Sequence, residues 1–183
     1  MVLRGSLPGP GVSRGSTVEP LRRVMARDVS TYDQALNLLG FRSRSVAELR
    51  RKLIDKGAPR ADVEEVIARL LDQKLLDDAD FARQFARHRI TGAGASRIRI
   101  LQELRRKGVA REIAERALEE LDEEEGIDAS ASIHRVAEKK WKSLGKLDDA
   151  TRRRRLYAFL ARRGFNPDEI RSAMNAVGAE MDV

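Results

Sequence analysis

The sequence predicts an all-α fold, an elongated tandem array of three three-helix modules related by internal repeat, and two observations carry that prediction. Apolar residues recur at helical spacing around three glycines, Gly57, Gly108 and Gly164, which lie 51 and 56 residues apart. Charged residues make up 36% of the 183 positions and aromatics 4%, which suits small bundles with thin aliphatic cores and long charged faces. The expected division is a flexible basic arm over 1–30, modules over 31–78 and 79–126, and a third module with a polar tail over 127–183. A unit of about 50 residues is marginal alone, so neighbouring modules are expected to pack on one another.

Residues 1 to about 28 are rich in Gly, Pro, Ser and Arg and have too little apolar surface to order themselves. They lack the continuous apolar stretch of a signal peptide. Regular structure is expected from Ser30 or Thr31, with Tyr32, Ala35, Leu36 and Leu39 on one helical face and Gly40 as its end. The second helix opens at Ser45, which with Glu48 reads as a reciprocal capping box, and stops at Gly57. Leu49 and Leu53 precede that glycine, and Val63, Val66, Ile67 and Leu70 follow it as the inward face of the third helix.

The second module repeats the pattern. Asp77 or Asp78 caps a helix that carries Phe81 and Phe85 inward, and Gly92-Ala-Gly94 breaks it. Ser96 caps the next, with Ile100 and Leu104 inward and Arg97, Arg99, Arg105 and Arg106 outward. Beyond Gly108, Ile113, Ala117, Leu118 and Leu121 form the core face, and the acidic run Glu119–Glu125 reads as a solvated helix end leading into a linker. In the third module Ile133, Val136, Ala137 and Trp141 form a stripe among lysines, so Trp141 reads as a core anchor. Asp148 or Asp149 caps the helix that carries Arg152–Arg155. Asn166-Pro167-Asp168-Glu169 starts the last helix, which holds Ile170, Ala173, Met174 and Val177, with Gly178 as its end.

Catalysis is not indicated. Cysteine is absent, His88 and His134 have no companion at ligand spacing, and the aspartate pairs are explained by capping. Gly92-Ala-Gly94 lacks the strand and third glycine of a dinucleotide loop. No apolar run approaches the ~20 residues of a membrane span, so a cytoplasmic binding protein without metal or cofactor is expected. The formal charge is +7, and positive charge gathers at the ends: residues 129–183 hold twelve basic and seven acidic side chains. The excess reads either as solubilising charge on solvated faces or as contact with nucleic acid or an acidic protein groove.

Four segments carry a resemblance to a known family. They are Arg44 through Leu53, Leu75-Leu76-Asp77-Asp78 with Phe81-Ala82, Gly94 through Gly108, and Arg162-Arg163-Gly164-Phe165. In this order they resemble the RecX regulatory family, over about residues 31–177. The resemblance implies three-helix repeats and a negative regulator of the RecA recombinase. It implies binding in the groove of the RecA–DNA filament, with inhibition of strand exchange, ATP turnover and coprotease activity. The basic arm and the acidic run depart from the family pattern.

The expected partners are therefore the RecA filament, single-stranded DNA and also double-stranded DNA, with no membrane, met by a monomer. The contact candidates are Arg97, Arg99, Arg105, Arg106 and Lys107 in the second module, and Lys139, Lys140, Lys142, Arg152, Arg153, Arg154 and Arg155 in the third. Arg50, Arg51 and Lys52 are weaker candidates in the first. A sequence-independent DNA-binding protein using the same arginines without RecA is the competing reading.

Overall fold

A computed structural model of the chain describes residues 30–129 and 131–179. The basic arm expected over 1–30 falls, apart from Ser30, outside the described residues, as does the tail from 180 onward. Among the described residues there are nine α-helices and no strand. Helices α1 (Thr31–Phe41), α2 (Val46–Asp55) and α3 (Arg60–Asp72) enclose one core, built on Leu49, Leu53, Val63, Ile67 and Leu70. Helices α4 (Asp78–His88), α5 (Arg97–Arg106) and α6 (Arg111–Glu125) enclose a second, around Phe81, Ile100, Leu104 and Leu121. Helices α7 (Ser132–Ser143), α8 (Asp149–Ala161) and α9 (Pro167–Ala179) enclose a third, around Trp141, Leu156, Leu160 and Ile170. Each fully buried leucine contributes about 1.5–3 kcal/mol, so these few positions dominate each module.

The same sequence device starts and stops the middle helix of every module. Ser45, Ser96 and Asp148 accept from the N–H of Glu48, Arg99 and Thr151 respectively, at 3.1, 3.2 and 2.9 Å. At the other end Gly57, Gly108 and Gly164 take φ of 90°, 80° and 88°, the left-handed region where a side chain is strained. The turn N–H groups of Ala58 and Val109 then return to Leu53 O and Leu104 O, both at 3.1 Å.

These repeated ends are also the joints between modules. Ser45 Oγ donates to Lys107 O, and Gly108 lies so near α2 that a Cβ on it would fall 2.3 Å from Ala47 Cβ. One module on, Ser96 N donates to Arg163 O at 3.1 Å, and a Cβ on Gly164 would lie 2.8 Å from both Ser96 Oγ and Arg99 Cβ. Asp78 adds a second tie at the first joint, accepting from Val46 N at 2.9 Å while Asp77 caps its own helix. A Cβ on Gly57, by contrast, would meet nothing within 4 Å. The third module carries Asp148 where the others have serine, and an ionised carboxylate has no proton to offer a carbonyl.

Several local expectations are corrected. Glu48 does not close a reciprocal box: its carboxylate accepts from Arg42 at 3.1 Å and Lys107 at 2.9 Å, because those cations outbid a backbone N–H for a charged oxygen. The reciprocal box occurs instead at Asn166, whose Oδ1 accepts from Glu169 N at 2.9 Å while Glu169 Oε2 accepts from Asn166 N at 2.7 Å. In α1, Leu38 and not Leu36 packs on the core, and Leu36 is 38% exposed. Gly40 and Gly178 lie inside the last turns of α1 and α9 and end neither helix. The break after α4 is a π-helical turn over Arg89–Ala93, closed by Gly94 in the left-handed conformation. The acidic run forms the last turns of α6, where Glu120 and Glu125 pair with Arg83 and Arg87 of α4.

Candidate functional site

The sequence-predicted cations fall into groups with different jobs. Lys107 follows the C-terminus of α5 and points back at the first module: its Nζ meets Glu48 and lies 5.8 and 5.3 Å from the ring centres of Phe81 and Phe85. Arg99 pairs with Glu103 at 3.0 Å and also donates across the second joint to Arg162 O. Arg152 covers the Trp141 ring at 3.7 Å and donates to Trp141 O at 3.0 Å. These three are partly spent on holding the fold.

Arg97 lies 3.7 Å from Glu119, Arg153 pairs with Asp149 at 2.8 Å, and Arg50 pairs with Glu64 at 2.7 Å. Arg51, Lys52, Arg105, Arg106, Lys139, Lys142, Arg154 and Arg155 are exposed, and among the described residues none forms an ion pair. Arg105 and Arg106 border two neighbouring depressions that share Gln102. Arg105 borders a mainly apolar depression with Ile98, Leu101 and Arg111, whereas Arg106 borders a cleft with Arg99, Glu103 and Arg162 at the second joint.

The structure brings Lys139 and Lys140 together with two arginines absent from the candidate set. A groove of about 380 Å³ runs between the Thr91–Gly94 turn of the second module and helices α7 and α8 of the third. Arg135, Lys139, Lys140 and Arg163 line it, with Phe159 and no carboxylate. Arg163 donates to Ala93 O at 2.9 Å and stacks 3.6 Å above Phe159, with Lys140 Nζ 5.1 Å from the same ring. Arg135 reaches Ile90 O at 3.2 Å. Burial, followed by the charges of Arg162 and Arg99, pushes the Arg163 guanidinium below its ordinary pKa, as expected of a cation with no counter-charge. In sequence, Arg135 was legible as the residue one turn before Lys139 on the same face of α7, and Arg163 as the residue before the repeated glycine.

Comparison with known proteins bears on what such a scaffold is. The chain matches the first, second and third three-helix domains of RecX over residues 32–70, 77–118 and 128–174. It is 42% identical over 151 residues to the regulatory protein RecX of Pelodictyon phaeoclathratiforme, spanning 81% of this chain and 91% of that protein. The chain belongs to the RecX family. Another RecX-family relative, from Mycobacterium ulcerans, is 38% identical over 82% of this chain and 83% of its own length. The crystal structure of RecX from Lactobacillus salivarius has the same fold, with a TM-score of 0.66 at 23% identity over 81% of this chain and 95% of that one. A second RecX crystal structure superposes with a TM-score of 0.65 at 22% identity, over 79% and 71% of the two chains. The three-helix repeats and the regulatory family are thus those the sequence pointed to. Among the described residues no helix is long and apolar enough to cross a membrane, and no group of three or more His, Cys, Asp or Glu side chains is placed to hold a metal ion.

Proposed function

We propose that this RecX-family chain is a cytoplasmic negative regulator of the RecA recombinase, acting as a monomer without cofactor or catalysis. In this reading it seats in the groove of the RecA–DNA filament and lowers strand exchange, ATP turnover and coprotease activity, so its setting is recombination, DNA repair and the SOS response. Family membership at 42% identity over most of the chain carries the reading. The tandem modules support it, because interlocked repeats present basic side chains at intervals to a polymer of repeating subunits. Contact falls to the cations not committed to the fold: Arg105 and Arg106 in the second module, and Lys139, Lys140, Lys142, Arg154 and Arg155 in the third. Of the remaining predicted cations, Arg99, Lys107 and Arg152 are partly spent on holding the fold, and Arg97 and Arg153 each pair with an exposed carboxylate. The test is RecA ATP turnover on single-stranded DNA with rising amounts of the full chain. Inhibition below one copy per RecA subunit is expected. No inhibition at any ratio, beside salt-sensitive binding to naked DNA, would overturn it in favour of a DNA-binding protein without a RecA partner.

A further inference from the structure

We infer that the groove between the Thr91–Gly94 turn and helices α7 and α8 holds the phosphates of a single nucleic-acid strand, bridging the second and third modules. The inference deepens the regulatory reading by assigning a ligand to one place on the molecule, and it is tested without RecA so that the two can fail separately.

Charge is the first argument. Arg135, Lys139, Lys140 and Arg163 border one space and, among the described residues, none of them has a carboxylate partner. Elsewhere the same chain neutralises its arginines readily, as Arg83, Arg87 and Arg89 do with Glu120, Glu125 and Glu103. Four uncompensated cations around a groove repel one another and attract a ligand with closely spaced negative charges.

Geometry selects the ligand. Arg135 and Arg163 are each anchored to a second-module carbonyl, at 3.2 and 2.9 Å, so their guanidinium planes are preoriented and keep further N–H groups for phosphate oxygens. The opposite wall is the Thr91–Gly94 turn, where Gly92 and Ala93 add little bulk to the groove, while Gly94 is packed against Val136, whose Cγ2 lies 2.3 Å from where a Cβ on Gly94 would fall. Arg163 stacked on Phe159 adds a flat surface on which a base can lie. The groove of about 380 Å³ takes a short run of phosphates, and the stacked surface favours a strand whose bases are unpaired. An acidic protein segment would satisfy the charges but would leave the stacked surface without a partner.

The experiment is fluorescence anisotropy of a labelled oligothymidylate with the full chain across a salt series. K139Q/K140Q should weaken binding about tenfold and flatten the salt dependence by about 1.4, at ~0.7 for each phosphate no longer neutralised. R163Q, checked for an unchanged circular-dichroism spectrum, should weaken it as well. Amide exchange over Thr91–Gly94 should slow when the oligonucleotide is added to the wild-type chain. Unchanged affinity and salt slope in both variants would overturn the inference. So would binding of pyrophosphate alone, or of polyglutamate in place of the oligonucleotide.

Discussion

Lys107 Nζ sits 2.9 Å from Glu48 Oε1, so a carboxylate from the first module's capping motif clamps the turn of the second. The pair is largely sheltered, with the Glu48 side chain only 9% exposed. K107Q and E48Q should each lower stability by about 1–3 kcal/mol, with the double variant losing less than the two combined. R105Q/R106Q, at exposed unpaired positions, should stay within about 0.5 kcal/mol of wild type while weakening inhibition of RecA. Urea denaturation and the ATP-turnover assay separate these outcomes, and unchanged inhibition in R105Q/R106Q would remove both arginines from the contact surface.

The same pair sets a pH dependence. Burial opposes charge on Glu48, but hydrogen bonds from Arg42 and Lys107, reinforced by their charges, outweigh it and hold the carboxyl below its ordinary value of 4.5. Because the folded pKa is the lower one, the stabilisation is complete above 4.5 and is lost as pH falls through the folded value. The stability difference between wild type and E48Q should be flat near neutrality and shrink in acid. A difference that grew in acid would contradict this assignment.

Gly57 and Gly108 are equivalent in the repeat but not in their surroundings. G57A should cost about 1–2 kcal/mol, the penalty of the left-handed conformation for a side chain. G108A should cost more, since its new Cβ would fall 2.3 Å from Ala47 Cβ. Adding A47G should recover part of that excess in a denaturation series. Equal costs for G57A and G108A would mean that the first joint opens freely.

Within the run Arg152–Arg155, Arg152 alone stacks on Trp141. R152Q should destabilise the third module by about 1–2 kcal/mol and alter the emission of the chain's one tryptophan. R154Q/R155Q should leave both unchanged, because those side chains are exposed and form no ion pair among the described residues. Thermal melts followed by tryptophan fluorescence provide both readings.

The fold was legible because its determinants are local. Leu49, Leu53 and Leu70, their counterparts Ile100, Leu104 and Leu121, and the glycines that stop each middle helix act through periodicity and backbone conformation, which a linear sequence displays directly. Even so, capping partners were less readable than caps. Ser45 was recognisable from its position, but the fate of Glu48 depended on two cations, one of them 59 residues away.

What the sequence alone determined about this protein was its repeat: three helical modules, the residues that fill their cores, and the family to which their order belongs. Tertiary structure alone decided which cations are structural and which face solvent. Lys107, Arg99 and Arg152 look like Arg105 or Arg154 in the chain, yet each is committed to a neighbour brought close by folding. It also assembled the groove of Arg135, Lys139, Lys140 and Arg163, whose members come from α7 and the turn before Gly164. Helix propensity and apolar spacing act between residues a few positions apart, whereas charge acts through space between whichever groups the packed modules place together.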